Sequence, residues 1–143
     1  MTRLSSAHRS LLAAALLLVL PVGTATAQAV NPAHQLDPKA GFSSESRRYP
    51  DMNATYAREG HEERIARISS VQPGMSRLEL QRTLGRPAIG YGDGSLEYHL
   101  SLSLTGRDRL ICQYRVFFDD DGAVERAAWR RPQCANLIWA QKG

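Results

Sequence analysis

From residue 96 to residue 104 the chain alternates with a period of two. Leu96, Tyr98, Leu100, Leu102 and Leu104 are apolar, and Glu97, His99, Ser101 and Ser103 lie between them. This pattern predicts a half-buried strand with one apolar and one polar face. Thr105-Gly106-Arg107-Asp108 reads as a turn. A second strand follows from Arg109 to Phe118, with Leu110, Cys112, Tyr114, Val116 and Phe118 on one face. Its other face holds Ile111 and Phe117, so it is expected to be central and partly covered on both sides. Asp119-Asp120-Asp121-Gly122 is a hairpin turn. A third strand runs from Ala123 to about Arg130, where the opposite parity of Val124 and Trp129 predicts a bulge or twist. Arg131-Pro132 ends it.

Upstream the period lengthens. Glu62 to Ser70 predicts a short helix, with Glu63 and Arg67 spaced to pair and a thin apolar stripe of Ile65 and Ile68. Gln72-Pro73-Gly74 is a turn. Arg77 to Leu84 predicts a second helix whose ends are written locally. Ser76 and Glu79 have capping-box spacing, and Met75 and Leu80 have staple spacing. Gly85 suits a left-handed position after the last turn, and Pro87 forbids continuation. The order helix, helix, strand, strand, strand predicts an α+β fold. Two short N-terminal helices would pack on one face of a three-stranded antiparallel sheet.

The N-terminal part is of a different kind. Arg3 and Arg9 precede an apolar run from Leu11 to Leu20, which Pro21 and Gly23 interrupt. Ala25-Thr26-Ala27 or Ala27-Gln28-Ala29 fits a cleavage site, so residues 1–27 are expected to be a signal peptide. Residues 28–60, rich in Pro, Ser and Gly and sparse in large apolar groups, are expected to form a flexible polar arm. The folded unit is then 61–140. Removal of Arg3 and Arg9 lowers the 18 basic residues to 16 against 14 acidic ones, so the net charge falls from +4 to +2. So mild a bias gives no reason to expect nucleic acid. An even cysteine count, Cys112 and Cys134, in an exported chain predicts a disulfide.

Candidate chemistry is sparse. The acidic turn at Asp119 has consecutive acids between strands, unlike a calcium loop with alternating ligands. His34, His61 and His99 show no metal-ligand spacing. There is no Gly-x-Ser-x-Gly elbow, no C-x-x-C pair, and no strand before or helix after the glycines at 90–94 to make a phosphate cradle. No cofactor or metal is expected, and the chain is not expected to be an enzyme. His99 and the Asp119 turn are the only groups on which a small enzyme could be built. Arginines at 107, 109, 115, 126, 130 and 131 read as a solvated surface. In a sharper reading, Arg107, Arg109 and Arg115 form an interaction surface for an acidic partner or anionic lipid headgroups.

Pro73-Gly74-Met75-Ser76 followed by Leu84-Gly85-Arg86-Pro87 resembles the signature of the SmpA/OmlA family of BamE-like domains. Glu97-Tyr98, Val116-Phe117-Phe118-Asp119 and Asp121-Gly122 match its later elements in order. The resemblance covers roughly Ile65 to Trp129. It implies a small α+β domain in the periplasm or at the outer membrane, acting by binding other proteins, barrel-assembly components among them, and by contact with anionic lipid headgroups. The same plan is similar to the repeat unit of the β-lactamase inhibitor protein, which gives inhibition of a periplasmic hydrolase as the alternative. Lipid-anchored members carry a cysteine at the cleavage site. Residues 25–29 contain none, so an exported chain without that anchor is expected.

Overall fold

The structure, a computed structural model, describes residues 30–43 and 60–142. The expected signal peptide and cleavage site, and the arm over residues 44–59, lie outside the described residues. Among the described residues no helix is long and apolar enough to cross a membrane.

Six strands form one mixed sheet, in place of the expected three-stranded antiparallel one. They are β1 (Gln35–Leu36), β2 (His61–Glu62), β3 (Ile89–Gly90), β4 (Leu96–Ser103), β5 (Arg109–Phe118) and β6 (Val124–Trp129), in the order β1-β6-β5-β4-β2, with β3 also on β4. The antiparallel β4–β5–β6 meander is its centre. β1 pairs in parallel with β6, and β2 in parallel with β4. These additions are two residues long, too short for any periodicity to reveal.

The helices are α1 (Ile65–Ser69), α2 (Arg77–Leu84) and α3 (Pro132–Trp139). α1 begins later than expected because the N–H of Glu63 is drawn to Ser101 O in the sheet (3.2 Å). α3 is a helix that the expected order of elements did not include. Pro132 both stops β6 and opens a helix, since its fixed φ suits the first helical position.

Ile68 of α1, Leu80 and Leu84 of α2, and Cys134, Ala135 and Ile138 of α3 share one core with Leu100, Tyr114, Val116 and Trp129 of the sheet. Tyr114 and Trp129 stack with centroids 4.3 Å apart. The ladder shifts between Phe117 and Phe118, where Phe117 pairs with Arg126 and Phe118 with Val124. Glu125 is the extra residue, which lets Val124 and Trp129 both reach the core.

Residues 30–43 are not a free arm. Ala33 and His34 are fully buried, and Tyr114 Oη donates to Ala33 O (2.6 Å). From β1 the chain then crosses to the opposite face of the sheet.

Candidate functional site

The family-signature residues form a folding joint. Ser76 Oγ accepts from Glu79 N (3.2 Å), and Glu79 Oε2 accepts from Ser76 N (2.8 Å), a reciprocal capping box. The hydrogen bonds from Ser76 hold the Glu79 carboxyl below its usual pKa. Gly74 sits at φ +86°, and its N–H reaches Val124 O (2.7 Å) while Val124 N reaches Met75 O (2.8 Å). The turn before α2 is thereby fastened to the start of β6. Gly85 takes φ +76° at the end of the helix, and Leu84 is buried in the core; Pro87 follows. Cys112 and Cys134 lie at disulfide distance, with Cα atoms 5.9 Å apart and a sequence separation of 22, tying α3 to β5.

The polar face of β4 is not the solvated face that alternation alone suggests. Glu97 is fully buried there, with Gln113 and Arg115 beside it on β5. Glu97 Oε2 accepts from Ser43 N (3.0 Å) and from Tyr91 Oη (2.5 Å). Its Oε1 accepts from Ser43 Oγ (2.9 Å) and Gln113 Nε2 (2.7 Å), and lies 2.8 Å from His99 Nε2. Burial, the largest single influence, pushes the Glu97 pKa up. The hydrogen bonds from His99, Tyr91, Ser43 and Gln113 together outweigh it and hold the value at about 2. Tyr91 moves the other way, to about 12, through burial and its bond to that carboxylate.

Arg115 completes the cluster. Its Nε donates to Ser95 Oγ (2.9 Å), Nη1 to Ala40 O (3.0 Å) and Gly41 O (2.5 Å), and Nη2 to Asp93 Oδ2 (3.0 Å). Its guanidinium lies 3.7 Å from the Tyr91 ring centroid. Glu97 and Arg115 therefore clamp residues 40–43 across the sheet, largely through main-chain atoms. Gly41 is required where it stands. Its φ is +76°, and a Cβ there would meet Arg115 Nη1 at 2.8 Å.

The three arginines expected to share a surface are thus separated. Arg115 is buried and makes four hydrogen bonds with its guanidinium. Arg109 is exposed but engaged, donating to Ser101 Oγ (2.7 Å), Ser101 O (2.6 Å) and Glu62 Oε1 (3.0 Å). Arg107 is exposed in the β4–β5 turn. The Asp119 turn is a hairpin in which Asp119 Oδ1 accepts from Asp121 N (3.1 Å) and Ala123 N (2.9 Å).

Chemically the cluster is a brace. A carboxylate with a pKa near 2 is a weak general base. Ser43 and His99 both bond to Glu97 rather than to each other, so they form no nucleophile–base relay. Among the described residues no group of three His, Cys, Asp or Glu side chains could hold a metal. Sequence reasoning passed over Glu97, Gln113 and Ser43 because a buried carboxylate on a strand's polar face looks the same as a solvated one until its cover is known. The glycine loop's Tyr91 and Asp93, which now lie against Arg115, were the only nearby hint.

A comparison with curated proteins returns no match to the chain. A family model, the outer membrane protein assembly factor BamE domain, matches residues 64–128, from the N-cap of α1 to the next-to-last residue of β6. That span holds the capped helix, the Gly74–Val124 fastening and the Glu97–Arg115 pair. The match at residues 64–128 is to a BamE domain, consistent with the SmpA/OmlA-like BamE family.

Proposed function

We propose that this chain is an exported, non-enzymatic protein-binding module that works in outer-membrane assembly from the periplasmic side. The observation that carries the reading is the BamE domain at residues 64–128. That family consists of assembly factors whose partners are proteins of the barrel-assembly machinery. The polar cluster supports the same reading, because its ionisable groups are spent on bracing the fold. The disulfide between Cys112 and Cys134 suits an oxidising compartment, in keeping with the signal-peptide pattern at residues 1–27.

The test is purification of the tagged full chain from crosslinked envelope fractions, followed by mass spectrometry. Recovery of barrel-assembly subunits above a tagged exported control is expected. Recovery of no envelope protein above that control contradicts the proposal.

A further inference from the structure

β4 has β5 along one edge and two short strands along the other. β3 pairs with Leu96 and Glu97, and β2 with Leu100 and Ser101. Between them, beside Tyr98 and His99, the edge opens into a cleft of about 330 Å³ lined by Gly60, His61, Arg86, Ala88, Tyr98 and His99. This volume lies at the lower end of the range for small-molecule sites.

One charge in the cleft, that of Arg86, has no compensating partner among the described residues. Arg86 follows Gly85, the C-cap of α2, and is exposed; its side chain makes no hydrogen bond or ion pair with any described residue, and neither does the His61 imidazole. The acids nearby are committed elsewhere. Glu62 pairs with Arg109 at 3.0 Å and Glu63 lies 3.8 Å from Arg67. Glu97 touches the cleft-lining His99 at 2.8 Å but is itself fully buried, its two oxygens also taken up by Ser43, Tyr91 and Gln113. Tyr98 borders the cleft, but its ring is buried in the core, where its hydroxyl has no hydrogen-bond partner among the described residues.

We propose that this cleft binds a carboxylate-bearing ligand of about dipeptide size, with the Arg86 guanidinium as the carboxylate's partner. A guanidinium presents two parallel N–H donors that match a carboxylate's two oxygens. One permanent cation balances one negative charge, which favours a monocarboxylate over a doubly charged phosphate. The imidazoles of His61 and His99 supply flat surfaces for the rest of the ligand. Gly60 keeps the cleft's floor thin, since a Cβ there would strike Ser101 N at 2.8 Å and Leu100 C at 2.9 Å. The assignment does not depend on which protein the chain binds.

The probe is N-acetyl-dialanine as the free acid, titrated into the mature chain and followed by amide and side-chain NMR shifts. Its C-terminal amide and inorganic phosphate serve as comparators. Saturable shifts at His61, Arg86 and His99 are expected with the free acid. The amide should bind about tenfold more weakly, as should the free acid to Arg86→Gln, the loss expected for one charge-assisted pair. Arg86 is exposed and unpaired, so the variant should keep the native spectrum elsewhere. Equal binding of acid and amide, an unchanged affinity in Arg86→Gln, or binding of phosphate but not of the free acid would each overturn the proposal.

Discussion

Glu97→Gln is the substitution that probes the fold's polar brace. The glutamine has the same shape, but one of its two oxygens becomes an NH₂ group. Both carboxylate oxygens act as acceptors, for Ser43 N, Ser43 Oγ, Tyr91 Oη and Gln113 Nε2. Whichever way the amide is turned, its NH₂ faces one obligate N–H donor, Ser43 N or Gln113 Nε2, and a hydroxyl that must reverse to accept from it. Two charge-assisted bonds are lost in a fully buried site, at about 1.5 kcal/mol or more each, so a cost of about 3 kcal/mol is expected. The pKa gives an independent bound. A depression from 4.5 to about 2 corresponds to no more than about 3 kcal/mol, less whatever solvent screening removes. The sign of the pH effect follows. Because the folded-state value lies below the unfolded one, Glu97 contributes its full stability above pH 4.5 and loses it as the pH falls through about 2. Urea denaturation at neutral pH should therefore show Glu97→Gln less stable by about 2–3 kcal/mol. Between pH 4.5 and 2 the gap to the wild type should narrow. A gap below about 0.5 kcal/mol at neutral pH, the usual scale of a surface substitution, would refute the brace. So would a larger gap that stays constant through that acid window.

Three further outcomes are expected. Ser76→Ala removes the reciprocal cap of α2 and should cost about 1 kcal/mol in the same denaturation assay; an unchanged midpoint would mean that the joint with β6 alone sets the helix start. Intact mass before and after reduction and alkylation should show no free thiol in the native protein. Replacing both cysteines with alanine should cost about 3 kcal/mol, the chain-entropy value for a loop of 22 residues, and an unmodified stability would rule out the crosslink. Gly60→Ala forces a methyl against backbone atoms of Leu100 and Ser101, so it should lower Tm by an amount matching about 1–3 kcal/mol of overpacking. An unchanged Tm would mean that β2 does not sit against β4 as described.

The parts of the fold legible in the sequence were those written locally. Ser76, Glu79, Gly85 and Pro87 declare α2 within a dozen residues, and the alternation through Leu96 and Leu104 declares β4. The bulge could be read from the parity of Val124 and Trp129. What could not be read depended on distant chain. Glu97 and Ser43 are separated by 54 positions, and nothing local to either announces the contact. Alternation showed that the two faces of β4 differ; it could not show that residues 40–43 cover the polar one. β1 and β2 are two-residue additions to sheet edges, recruited by the strands they join. α3 was announced by Pro132, a residue that ends a strand as readily as it begins a helix.

The same division applies to the site. The signature residues identify the family because they fold the α2–β6 joint, and Arg115 belongs to the fold rather than to a surface. Of the three arginines first grouped together, Arg107 is left exposed in the β4–β5 turn and Arg109 is half-committed to Glu62. A substitution at residue 107 should therefore disturb binding without disturbing stability.

The most direct test of the central claim is site-specific photo-crosslinking in living cells. A photoreactive residue replaces Arg107 in the full chain, with a second at Gln72, in the turn before α2, as the control position. The account predicts a discrete adduct containing a barrel-assembly subunit at residue 107. The absence of any envelope-protein adduct at both positions, from a chain shown to be exported and folded, would contradict it.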